Sequence, residues 1–133
     1  MSSAPGLSEG SLAALQHLRE KREINTVTLR YADVPDVLIP EVEVNLTEEE
    51  LVQVLPTDEP RLVAHELCFA SPEGTRRHAQ LLIFWMPPPA GEQEEAYSAG
   101  FTALKECLPD VHVHLTARRA DQLAYRRLVA MVG

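Results

Sequence analysis

Apolar positions recur along this chain at two spacings, and the switches between them mark its elements. Leu12, Leu15 and Leu18 fall on one helical face, with Ser8 or Ser11 able to cap the helix they define. That helix runs to about Arg22. Arg19, Lys21 and Arg22 cluster at its end, where cations meet the negative pole of the helix dipole. Thr26–Tyr31 then alternates as a β-branched strand, and Val37–Val44 alternates apolar with acidic residues, with Pro40 marking an edge or a bulge. Thr47 and Glu50 make a capping-box pattern that opens a short helix carrying Leu51, Val52 and Leu55, and Pro56 stops it.

The second half is read in the same way. Pro60–Ala70 is a strand, Ser71–Gly74 a turn, and Arg76–Met86 a second strand whose unbroken LLIFWM run implies burial on both faces. Together they form a central hairpin. Pro87, Pro88 and Pro89 break the strand, and a long helix follows from about Ala90 to Leu108, with Tyr97, Phe101, Leu104 and Leu108 as its apolar stripe. Val111–Ala117 alternates as a strand. Residues 119–132 form a last helix that turns Ala120, Leu123, Ala124, Leu128 and Met131 inward. The order α-β-β-α-β-β-α-β-α predicts an α/β (α+β) domain over residues 8–133, a five-stranded mixed sheet sandwiched between helices. Residues 1–7 are expected to form a flexible tail.

Composition narrows the function. In 133 residues, 45% are hydrophobic, enough for one core and too many for wholesale disorder. The net charge of −8 excludes a general nucleic-acid coat, which needs clustered cations. Two cysteines, Cys68 and Cys107, exclude a disulfide scaffold and a four-thiolate zinc site, and suit a reducing compartment. The apolar run Leu81–Pro89 is too short to span a bilayer, and the start of the chain lacks the basic and apolar regions of a secretory signal, so a cytoplasmic protein is expected. Charge is also segregated. Between Tyr31 and Pro60 stand nine acidic residues and no basic one, whereas four arginines face Asp121 alone from Val111 onward. Two electrostatically distinct faces favour an interaction protein.

Catalytic patterns are missing: there is no G-x-S-x-G, P-loop, G-x-G-x-x-G, H-E-x-x-H or C-x-x-C. Cys68 and Cys107 sit in apolar settings and read as buried structural thiols. No nucleophile has a base and an orienting group nearby, so an enzyme is not expected and no cofactor is implied. His112 and His114 would point to the same face of a strand and make the one alternative of another class, a metal or small-ligand site, although no third ligand is evident nearby.

Three strings carry a resemblance. They are Leu55-Pro56-Thr57-Asp58-Glu59-Pro60-Arg61 leading into LVAHELCF, Glu73-Gly74 through LLIFWMP, and Ala96-Tyr97-Ser98-Ala99 followed by Ala103-Leu104-Lys105. In this order and spacing the chain resembles the actin-depolymerising-factor homology (ADF/cofilin) family over most of its length. The resemblance implies the family's gelsolin-like fold and a non-catalytic, monomeric regulator that binds actin or actin-related proteins in the cytoskeleton. In that family the long helix enters a cleft between actin subdomains with help from the N-terminal tail. A second surface, on the hairpin and last helix, touches the neighbouring filament subunit. Carried over, these surfaces place Ser3, Glu92, Glu94, Glu95 and Phe101 on the first, and Arg76, Arg77, Arg126 and Arg127 on the second. Phe101 has two readings, a core residue on the apolar stripe or an exposed anchor. Ser3 corresponds to a serine whose phosphorylation switches binding off. Arg19, Lys21 and Arg22 offer a small basic cluster for phosphoinositides.

One departure separates branches of the family. Where cofilins carry two basic residues ahead of the helix tyrosine, this chain has Glu92 and Glu94, with Glu95 beside them. Glia maturation factor also lacks those lysines. Its stretch before the Leu-Pro pair resembles Asn45–Leu51, and that branch binds the actin-related-protein branching complex rather than actin; the alternatives are cofilin-type actin binding and severing, or a divergent domain of the family that has lost actin binding.

Overall fold

The computed structural model describes residues 7–20, 24–31, 37–109, 111 and 113–132. Its elements are α1 (Glu9–Glu20), β1 (Thr26–Tyr31), β2 (Leu38–Val44), α2 (Glu48–Val54), β3 (Arg61–Ala70), β4 (Arg76–Trp85), α3 (Glu94–Cys107), β5 (Val113–Ala117) and α4 (Tyr125–Val132). This is the order the sequence pattern predicts. The sheet runs β2-β1-β3-β4-β5. Every pairing is antiparallel except β4 with β5, where α3 supplies the crossover that a parallel pair requires.

Period-two alternation sorts the strand residues onto two cores. Val27, Leu29, Leu62, Ala64, Leu82 and Phe84 pack with Leu15 and Leu18 of α1 and with Tyr97, Phe101 and Leu104 of α3. Val63, Leu67, Leu81, Ile83 and Trp85 pack on the other face with Leu51 of α2 and Leu128 of α4. Leu81 to Met86 is buried throughout, as its unbroken apolar run implies.

Local signals work as local physics requires. The Ser8 hydroxyl accepts from the Ser11 backbone N–H at 3.0 Å and caps α1. Both bonds of the capping box at Thr47 and Glu50 form. At Pro40 the edge strand β2 bulges. Val42 pairs Thr28 and Pro40 pairs Leu29, so Glu41 is the extra residue. The bulge aims the Glu41 carboxylate at Arg61 Nε, 2.8 Å away. The Trp85 indole N–H donates to the Pro56 carbonyl at 2.7 Å, which ties the end of the α2 segment to β4. Trp85→Phe keeps the ring and removes this donor. It is expected to lower stability by about 1 kcal/mol in urea unfolding; an unchanged midpoint would show that the bond contributes nothing.

Several expectations need correction. Leu7 is no part of a free tail: it is buried, bridges Leu38, and precedes a Ser8 N–H that donates to the Leu38 carbonyl. The helix expected from Ala90 opens as a 3₁₀ stretch over Pro88–Gln93 and becomes α-helical at Glu94. Adjacent prolines lack backbone donors, so the α pattern starts beyond them. The last helix is likewise divided. A 3₁₀ turn covers Ala120–Leu123 before α4. A tighter turn resets the helical phase, so Leu123 and Leu128 are buried while Ala120, Ala124 and Met131 (48% exposed) face outward. Cys68 is exposed rather than buried, because the helices on its side of the sheet do not reach the far end of the hairpin.

Candidate partner-binding surface

The α3 face that lies against the sheet is fixed by four contacts. The Tyr31 backbone N–H donates to the Tyr97 hydroxyl at 2.9 Å, and the Tyr31 hydroxyl donates back to the Ala96 carbonyl at 3.0 Å. The two rings meet edge to face at 4.8 Å. Gly100 then lets the helix approach closely. A Cβ built there would lie 2.9 Å from the Tyr31 hydroxyl, 3.0 Å from a Leu38 methyl and 3.2 Å from a Leu62 methyl.

Phe101 belongs to this inner face. It is 8% exposed, packs on Phe84 at 5.5 Å, and has the Lys105 ammonium over its ring at 5.1 Å. Its reading as an exposed anchor is therefore replaced by that of a core residue, since the stripe it shares with Tyr97 and Leu104 is the side that the sheet covers.

The opposite side of α3 stays open. Glu95, Ser98, Ala99, Thr102 and Glu106 form an exposed row about three turns long, and no described element packs over it. Glu94 leans away from the row, where its carboxylate meets Arg118 at 3.3 Å beyond the end of β5. An exposed pair of this kind contributes well under about 1 kcal/mol, so it orients Glu94 more than it stabilises the fold. Ser3, His112 and the side chain of Glu92 lie outside the described residues, as do Lys21 and Arg22.

The second surface divides in two. Arg76 and Arg77 are exposed neighbours on β4, so they project from opposite faces of the sheet. Only Arg77 shares a face with α4, where Arg126 and Arg127 are exposed; Arg127 also approaches Asp121 at 3.6 Å. On that face a groove of about 690 Å³ lies between α2 and the 3₁₀ turn that leads into α4, lined by Glu49, Val52, Asp121, Leu123 and Tyr125.

Part of the acidic stretch is engaged internally. Glu41 takes both Nε and a terminal nitrogen of Arg61, at 2.8 and 3.2 Å, and lies 3.6 Å from Arg30. Glu59 adds a 3.2 Å contact to Arg61. Burial works against the charge of this guanidinium, but the Glu41 and Glu59 carboxylates outweigh it and raise the Arg61 pKa. Glu48 is hydrogen-bonded to the fully buried His65 at 2.8 Å. Sequence reasoning missed both buried groups, although an arginine and a histidine inside an otherwise apolar strand were the available signal.

Burial, helped by the neighbouring Glu106 carboxylate, pushes the Cys107 thiol up, away from a reactive thiolate. No helix among the described residues is long and apolar enough to cross a membrane.

Comparison with known proteins settles the family. The model of the cofilin/tropomyosin-type actin-binding proteins matches residues 6–132. The chain belongs to that family. Like the family, it is a non-enzymatic protein. Among solved structures, a Streptomyces griseoflavus cofilin superposes with a TM-score of 0.86 at 17% identity, covering 96% of each chain. Plasmodium berghei actin depolymerization factor 2 gives 0.81 at 18% identity, covering 99% of this chain and 98% of its own. Coactosin from Entamoeba histolytica gives 0.81 at 19%, covering 98% and 96%. At these identities the likeness is one of fold. No curated protein sequence matches significantly. The cofilin fold accounts for the two buried faces, and the Leu55-Pro56 and LLIFWMP strings that marked the resemblance touch through the Trp85–Pro56 bond.

Proposed function

We propose that this protein regulates actin-filament turnover by binding actin-type subunits through the open row of α3, and that it takes the actin-related-protein branching complex in preference to actin itself. The observation that carries the reading is the uncovered face of a helix otherwise locked to the sheet, with Glu95 exposed in its first turn. A rigid helix pre-organised by Tyr97 and Gly100 loses little entropy on entering a cleft. A carboxylate at its leading end opposes an acidic actin surface and suits a partner with basic groups there. Binding one state of the assembly better than another then shifts the population toward it, which is enough to promote debranching or disassembly without covalent chemistry.

Direct binding to actin monomers or filaments is the second reading. The exposed Arg77, Arg126 and Arg127 favour it, because they offer a basic surface on the α4 face for a neighbouring acidic subunit.

Co-sedimentation separates the two. The first reading expects the protein to pellet with filaments carrying the branching complex and far less with bare filaments; equal pelleting supports the second, and absence from both pellets defeats both. Glu95→Lys is expected to strengthen binding to monomeric actin, by up to about tenfold for roughly 1.4 kcal/mol of repulsion removed. It avoids Glu94, whose reversal would also set a lysine against Arg118. Unchanged monomer affinity would mean that this row is not the contact.

A further inference from the structure

We propose that Glu66, Cys68 and His78 form a binding site for zinc or a similar borderline-soft divalent cation, on the hairpin end remote from the open row of α3. The three donor atoms lie within 4.8 Å of one another. Cys68 Sγ is 3.2 Å from His78 Nδ1, and that nitrogen is 4.0 Å from the Glu66 carboxylate. Bond lengths of about 2.0–2.3 Å place the ligand atoms of a tetrahedral zinc about 3.3–3.6 Å apart, so small side-chain adjustments close the set on an ion.

The sheet, not a flexible loop, holds the donors together. Cys68 and His78 are directly opposite in the β3–β4 register. Glu66 stands two residues before Cys68 and so on the same face. The turn at Ser71–Thr75 fixes that register: the Ser71 N–H donates to the Thr75 carbonyl at 2.8 Å, and Gly74 takes the positive φ of 87° that the turn needs.

Charge favours a cation here. The Glu66 side chain is only 9% exposed. A carboxylate at that depth needs a positive partner, and the ion-pair contact it makes among the described residues is the imidazole at 4.0 Å, too long for a hydrogen bond. A divalent ion bound by one thiolate and one carboxylate leaves the cluster neutral. The donor set also selects the ion, since sulfur with imidazole suits zinc and disfavours magnesium and calcium. Cys68 and His78 are exposed, which gives the ion a path in and lets water complete the tetrahedron.

The site differs from the one that sequence spacing offered. His114 is exposed at the far edge of the sheet, edge-on to Phe101 at 6.4 Å, and His112 lies outside the described residues. The cluster at Cys68 was invisible in sequence because its members meet only across the hairpin.

The full chain, freed of metal, is titrated with zinc by calorimetry and with cobalt by absorption. One equivalent is expected to bind, with a thiolate-to-cobalt charge-transfer band. Cys68→Ser and His78→Ala each lose at least about tenfold in affinity, whereas Cys107→Ser and His114→Ala bind as the parent does. Because Cys68 and His78 are exposed, their variants should keep the parent circular dichroism; Glu66→Gln, nearly buried, is the second-line variant. Zinc is also expected to protect Cys68 from alkylation. Absence of binding at micromolar zinc, undiminished binding by Cys68→Ser, or loss of binding in His114→Ala overturns the proposal. None of these results depends on which actin assembly the protein binds.

Discussion

Alanine in place of His65 is expected to destabilise the protein by about 3–5 kcal/mol, a large share of the roughly 5–15 kcal/mol that holds a domain of this size together. His65 is fully buried on β3 and links three elements. Its Nε2 faces the Glu48 carboxylate of α2 at 2.8 Å, and its Nδ1 faces the Thr26 hydroxyl of β1, also at 2.8 Å. Both backbone groups of Leu46 orient the Asn25 amide, whose oxygen then accepts from the Thr26 hydroxyl at 2.8 Å. The Thr26 hydroxyl thus stands between Asn25 and His65 Nδ1, while Nε2 meets the Glu48 carboxylate, so the ring ties β1 and α2 to β3 through one polar chain. Removing the ring leaves the Thr26 hydroxyl with its Asn25 bond alone, takes the His65 partner from the partly buried Glu48 carboxylate, and opens a cavity between α2 and the sheet.

His65→Leu distinguishes these costs. It refills much of the space and still strands the polar groups, so it should recover only part of the loss in urea unfolding. Stability equal to the parent's would show that the network contributes nothing. The pH dependence has a definite sign. The His65 hydrogen bond holds the Glu48 carboxyl below its ordinary value of 4.5, against the opposing effect of burial. A depressed folded-state pKa gives stability that is complete above about pH 4.5 and fades as pH falls through the lowered value. Glu48→Gln should therefore cost most near neutrality, and its deficit should shrink in acid; a deficit that stays constant down to the acid limb would contradict this linkage.

Valine at Gly100 is expected to cost about 2–3 kcal/mol and to weaken partner binding in co-sedimentation. The nearest groups, the Tyr31 hydroxyl and the Leu38 and Leu62 methyls, leave no room for a side chain. The tyrosine cannot simply swing aside, because its hydroxyl is bonded to the Ala96 carbonyl. The helix must lift from the sheet instead, and that moves Glu95, Ser98 and Thr102 together. Gly100→Ala should be milder, since alanine regains about 1 kcal/mol of helix propensity while meeting the same 2.9 Å contact. A valine variant with parental stability and parental pelleting would show that the close approach has no role in presenting the surface.

Both predictions concern residues that pattern reading passed over. Gly100 lies inside a helical stripe, where periodicity alone gives no sign that another chain segment approaches within a methyl's width. His65 reads as a polar interruption of an apolar strand until α2 is folded over it. Phe101 shows the reverse: its place on the stripe with Tyr97 and Leu104 was readable, and burial in the structure decided between its two readings.

What the amino-acid order determined by itself is the set of short-range choices. The nine elements and their order, the Thr47 cap and the two-faced burial of LLIFWM all rest on short spacings, where backbone geometry leaves few options, whereas the choice of Ser8 over Ser11 as a cap and the bulge at Pro40 came from the structure. Only the tertiary structure decided which polar groups meet. Arg61 with Glu41, His65 with Glu48 and Cys68 with His78 are 20, 17 and 10 residues apart in sequence. Strand register and helix docking bring them together, and for the buried Arg61 and His65 the pairing offsets the water that burial removes.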